Sequence, residues 1–231
     1  MKSETIPVWL WRFSLVALLG TVFTVALLLV LALGGISNPS HIGELVVRDD
    51  LDHDTGWTLP FDTTLAGASG NIANGRYEFT LPRGEVHALV ASPYQVHPPS
   101  TILIAARQIA GPADASYGLW WGEAPYGDYH VVALNGDGYL TVFQSVDGKS
   151  QAIMEWQVFP RIHPQGEINT IQVDIDDSRV LVRVNDEVAA TFAWAPNRSF
   201  ETGFYVETLS TGGTTADVDW LAIWQETASL P

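Results

Sequence analysis

From Glu44 to Gln225 the chain has no amphipathic stretch at helical periodicity longer than about two turns. It has instead many runs of five to nine residues rich in Val, Ile, Thr, Tyr, Phe and Trp, divided by Gly, Pro, Asn and Asp. That pattern predicts an all-β domain. The clearest strands are 76–81, 86–91, 101–109, 117–122, 128–134, 139–145, 169–175, 179–185, 187–193, 203–208 and 217–224. Asn135-Gly136-Asp137-Gly138 and Asn185-Asp186 supply residues that tolerate positive φ, so they predict hairpin turns, and Asp176-Asp177-Ser178 does so more loosely. Eleven antiparallel strands in one domain would leave an unburied face as a single sheet, so two packed sheets are expected, most economically as a jelly-roll sandwich.

A second feature precedes this domain. Phe13 to Leu33 is 21 residues without a charge, a helix of about 32 Å against a hydrocarbon core of about 30 Å. The expectation is one N-terminal transmembrane α-helix over 13–33, in contact with membrane lipid. Trp9 and Trp11 lie at its start, and Lys2 and Arg12 precede it. Up to residue 34 the net charge is +1, whereas the remaining 9 basic and 25 acidic residues give −16. The positive-inside rule then puts residues 1–12 in the cytoplasm and the C-terminal domain outside the cell membrane. A cleaved signal peptide is the competing reading, since Ala32 and Gly34 are small, but its apolar core is normally shorter. Residues 34–43, small and polar, read as a juxtamembrane linker; 44–226 as the extracytoplasmic β-sandwich; and 227–231 as a tail.

Composition removes several classes of function. With no cysteine there is no disulfide scaffold, zinc ribbon or thiol nucleophile. A net charge of −15 with only 11 scattered Lys and Arg argues against nucleic acid. The six histidines show neither HxH nor HExxH spacing.

Gly56-Trp57, Asn74-Gly75-Arg76-Tyr77, Gly111-Pro112, Ser116-Tyr117-Gly118, Asp128-Tyr129-His130 and Gly136-Asp137-Gly138-Tyr139 form an ordered series of turn and strand motifs. Val184-Asn185-Asp186-Glu187, Gly203-Phe204-Tyr205 and Val218-Asp219-Trp220-Leu221 continue it. In this order they resemble bacterial extracytoplasmic concanavalin A-like (laminin G-like) jelly rolls over about 44–225, and more distantly the sandwich of the 3-keto-disaccharide hydrolase family. The resemblance implies a fold strongly and a function weakly, because relatives serve as glycan-binding or protein-binding modules.

Jelly-roll glucanases that cleave laminarin-type glucans carry a Glu-x-Asp-x-x-Glu strand, which this sequence lacks. The acidic pairs Asp174/Asp176 and Asp217/Asp219 have the i, i+2 spacing that shares a strand face, but strand-end carboxylates are usually solvated or hydrogen-bonded. The expectation is therefore no catalytic residue and no enzyme activity. No cofactor is expected. Asp50, Asp52 and Asp54 have the spacing of a calcium loop without its Gly or terminal Glu, which excludes an EF-hand and leaves open a structural calcium ion or a solvated acidic turn.

Adjacent Trp120 and Trp121 must point to opposite faces of their strand, and Tyr126 and Tyr129 follow closely. These four are the candidate binding residues, with the loop 123–127 able to cover one of them. The sequence thus reads as a non-catalytic, single-pass membrane interaction module, an accessory or scaffolding subunit with a protein partner. The alternatives are a carbohydrate-binding module with a glycan partner and a glycoside hydrolase with an unrecognised active site.

Overall fold

The computed structural model describes residues 17–26, 41–58, 67–123, 128–194, 196, 198–209 and 212–226. The chain divides into two units, Met1–Ser40 and His41–Pro231. In the first, residues 17–26 are helical, and the hydroxyls of Thr21 and Thr24 donate back to the carbonyls of Ala17 and Gly20, each at 2.9 Å. Among the described residues no helix is long and apolar enough to cross a membrane. The expected transmembrane helix over 13–33 is therefore not part of the described fold, and the rest of that segment lies outside the described residues.

The second unit contains β1 (Glu44–Asp49), β2 (Ser69–Ile72), β3 (Tyr77–Leu81), β4 (Val86–Val96), β5 (Ser100–Ala110), β6 (Ser116–Gly122) and β7 (Tyr129–Asn135). It continues with β8 (Tyr139–Val146), β9 (Lys149–Val158), β10 (Asn169–Ile175), β11 (Arg179–Val184), β12 (Glu187–Ala193), β13 (Phe200–Thr208) and β14 (Thr214–Gln225). They form two antiparallel sheets. One has the order β12-β11-β10-β5-β14-β3-β2 with β1 also pairing β14, and the other has the order β4-β13-β6-β7-β8-β9.

The two sheets stack on one apolar layer. Leu119 and Trp121 of β6, Val132 and Leu134 of β7, and Phe204 and Val206 of β13 share one core cluster with Ile102 and Ile104 of β5, Ile171 and Val173 of β10, and Leu221 and Ile223 of β14. Asn185 and Asp186 connect β11 to β12 with φ of 49° and 68°, the two positive values a type I′ turn needs. Asn135 closes the β7–β8 turn, accepting from Gly138 N at its carbonyl (3.1 Å) and from Tyr139 N at its side chain (2.9 Å).

β1, β2 and β9 are additional to the strands named above. β9 lies at the edge of the six-stranded sheet and is exposed over most of its length. An edge strand with no buried face has no need of the apolar alternation by which strands are recognised.

Candidate functional site

Side chains on the outer face of the six-stranded sheet form a second apolar cluster, separate from the core: Leu89, Trp120, Tyr129, Val131, Ala133 and Tyr205. Four strands contribute to it, because every second residue of each strand points away from the sandwich. Above it lies an open groove of about 220 Å³ lined by Tyr129, Phe143 and Tyr205, with His87, Glu155, Trp156 and Glu207 among its other polar and aromatic members.

A β-bulge builds one wall. Leu140 pairs with Gln157 and Val142 with Met154, so Thr141 alone on β8 faces both Glu155 and Trp156 on β9. A regular strand would send these neighbours to opposite faces; the extra residue re-aims the strand, and both line the groove. Thr141 Oγ1 secures the bulge by donating to Met154 O at 2.8 Å. Trp156 keeps 37% of its surface exposed.

On the opposite side, Tyr205 is buried beneath the imidazole of His87, with ring centroids 6.2 Å apart. Its hydroxyl pKa is pushed well above the usual value, first by burial and then by the negative charge of Glu207, to which it is hydrogen-bonded. Glu207 also accepts from Ser116 Oγ at 3.1 Å. The groove therefore holds two carboxylates, one imidazole and the accessible rings of Trp156 and Phe143 above the buried Tyr129 and Tyr205.

The sequence-predicted binding residues are dispersed. Trp120 and Trp121 are both fully buried. Trp121 enters the core between the sheets, whereas Trp120 lies on the groove side beneath the surface, its Nε1 donating to Val90 O at 3.0 Å. Tyr129 lines the groove, and Tyr126 lies outside the described residues. The residues that sequence reasoning missed, His87, Glu155, Trp156, Tyr205 and Glu207, come from three distant strands.

Asp50, Asp52 and Asp54 are exposed, and among the described residues no group of three or more His, Asp or Glu could hold a metal ion. Asp50 is paired with Arg48 at 2.6 Å, and Asp54 accepts from Gly56 N at 2.9 Å. The loop is organised by their neighbour Asp49, which is buried and accepts from Leu51 N, Thr55 Oγ1, Trp57 Nε1 and Tyr94 Oη at 2.8–3.1 Å.

The two acidic pairs lie on the eight-stranded sheet, away from the groove. Asp174 accepts from Thr101 Oγ1 at 2.7 Å and Gln172 Nε2 at 2.8 Å, with Arg183 at 3.8 Å. Asp176 caps the β10–β11 turn through Ser178 N and Arg179 N. Asp217 is held by Arg107 and Asp219 by Arg76. Each is committed to structure.

No family model matches the chain, and no curated protein matches it in sequence. Solved structures do match in fold. The laminarinase catalytic domain from Thermotoga maritima MSB8 is 12% identical with a TM-score of 0.60, covering 80% of this chain and 99% of that one. The endo-β-1,3-glucanase from Pyrococcus furiosus is 10% identical with a TM-score of 0.61, over 82% and 99% of the two chains. The κ-carrageenase from Pseudoalteromonas carrageenovora, in complex with an oligotetrasaccharide of κ-carrageenan, is 12% identical with a TM-score of 0.55, over 83% and 98%.

The fold is the concanavalin A-like jelly roll.

This likeness corrects two expectations. The three are a laminarinase catalytic domain, an endo-β-1,3-glucanase and a κ-carrageenase, which counts against the reading as a non-catalytic scaffolding or accessory subunit and, with it, the expectation of no enzyme activity. The expectation rested on the missing Glu-x-Asp-x-x-Glu strand, which tests for one arrangement of carboxylates; the two that line this groove, Glu155 and Glu207, come from different strands.

Proposed function

We propose that the jelly roll binds a carbohydrate chain in the groove of its six-stranded sheet. The observation that supports this reading most is the groove itself, an open trough with the half-buried Phe143 along it and the partly exposed Trp156 at its wall, above the buried rings of Tyr129 and Tyr205. Flat rings take the apolar faces of sugar rings, while the carboxylates, hydroxyls and imidazole around them accept and donate to sugar hydroxyls.

A second reading is hydrolysis of that chain in the same place. It is favoured by Glu155 and Glu207, two carboxylates of unequal environment on one groove: Glu155 is exposed, and Glu207 is half-buried and hydrogen-bonded. Glycoside hydrolysis in most enzymes that perform it uses such a pair of carboxylates. The test is a panel of neutral, amino-bearing and sulfated oligosaccharides, measured for binding and for release of reducing ends. Binding without turnover supports the first reading alone. Turnover abolished by both Glu155→Gln and Glu207→Gln supports the second, and absence of any binding contradicts both.

For location, the reading is an extracytoplasmic sandwich anchored by residues 13–33. Its support is the 21-residue uncharged run and the charge asymmetry across it. Protease added to intact spheroplasts should remove the sandwich; protection of the whole chain would contradict the orientation.

A further inference from the structure

The charge of the groove is one-sided, and this bears on which carbohydrate it takes. Among the described lining residues there is no Lys or Arg, while Glu155 and Glu207 are both present. Elsewhere on the sandwich several carboxylates are paired with arginines. Arg48 is paired with Asp50, Arg76 and Arg107 with Asp217, Arg161 with Glu187, Arg179 with Asp176, Arg183 with Asp174, and Arg198 with Glu123. None of these arginines reaches the groove. Among the described residues Glu155 has neither an ion pair nor a hydrogen bond. Glu207 receives only neutral hydroxyl donors, from Ser116 and Tyr205, and no cationic partner among the described residues.

Two uncancelled negative charges over an aromatic surface repel sulfated and uronic sugars and attract a cation. We infer that the groove selects a glycan bearing free amino groups, an unacetylated hexosamine chain, whose ammonium is received by Glu155 and Glu207 while its ring lies on Trp156. The inference rests on the carbohydrate-binding reading and adds the chemical class of the ligand. A hydrogen bond to a charged partner is stronger than one to a neutral group, so the preference for the amine over its neutral counterpart is about tenfold or more.

The test titrates the full chain, at about pH 6.5 where carboxylates are ionised and sugar amines largely protonated, with three probes: a glucosamine oligomer, the same oligomer fully N-acetylated, and a uronic acid oligomer of equal length. The chain as a whole is acidic, so Asp177→Asn/Asp186→Asn, on the hairpin turns of the other sheet, serves as the control of equal charge change. The expected result is at least tenfold tighter binding of the amine, a difference that shrinks to about threefold or less in Glu155→Gln/Glu207→Gln and persists in the control, with unchanged thermal midpoints. Equal affinity for amine and N-acetyl forms, a preference that survives Glu155→Gln/Glu207→Gln, or equal binding of the uronic oligomer would overturn the selectivity while leaving carbohydrate binding intact. Failure of all three probes and of the neutral glucans as well would overturn the reading of the groove and this inference together.

Discussion

The imidazole of His130 lies nearly parallel to the indole of Trp121 inside the sandwich, with centroids 5.4 Å apart and planes 12° apart. Phe192 and Trp194 close round it at 5.6 and 4.9 Å, and among the described residues neither His130 Nδ1 nor Trp121 Nε1 has a hydrogen-bond partner. Burial therefore disfavours the imidazolium and lowers the pKa from 6.5 to about 4, with Asp128 pulling weakly the other way.

This arrangement makes stability pH-dependent in a definite direction. The unfolded chain takes up the His130 proton near pH 6.5 and the folded chain only near pH 4, so its contribution is complete above pH 6.5 and is lost as pH falls through that window. The full loss is about 3 kcal/mol. His130→Phe keeps the stacked ring without the titration, and should lose less of its thermal midpoint between pH 7 and pH 4.5 than the natural chain. Equal losses would show that other groups govern the acid response.

Trp120 can lie under the groove only because β13 carries a glycine there. A Cβ on Gly203 would come 1.9 Å from Val90 O and 2.9 Å from Trp120 Nε1. Gly203→Ala should cost about 3 kcal/mol by overpacking, and Trp120→Ala about 3–5 kcal/mol by loss of a buried ring. Denaturant titration separates these effects from binding. A Trp120→Ala chain of natural stability would contradict the placement.

Arg107 grips Asp217 with Nε at 3.0 Å and Nη2 at 2.9 Å, and the carboxylate is nearly inaccessible. Asp217→Asn leaves that guanidinium without its counter-charge and should cost about 3 kcal/mol. Glycan affinity, measured where the variant remains folded, should be unchanged, since Asp217 is on the sheet opposite the groove. A large fall in affinity there would move the site.

Much of the architecture is legible in the sequence because alternation and turn chemistry are local. Asn185-Asp186 announces its hairpin, and Trp120-Trp121 must split between the two faces of β6. The groove is not local. Its walls join His87 of β4, Glu155 and Trp156 of β9 and Glu207 of β13, residues that only the pairing order brings to one trough. The bulge opposite Thr141 is equally silent in the sequence, since Glu155-Trp156 reads as any exposed edge dipeptide. In the sequence Asp49 is one more acid beside Asp50, Asp52 and Asp54, and only its four donors distinguish it.

The central claim, that the groove receives a carbohydrate chain against Trp156, is tested most directly by calorimetric titration of an oligosaccharide bound by the natural chain into Trp156→Ala. Trp156 is on an exposed edge strand, so its removal should leave the thermal midpoint within a few degrees while weakening binding by on the order of 2 kcal/mol, about thirtyfold. Undiminished affinity in a folded Trp156→Ala chain would contradict the account.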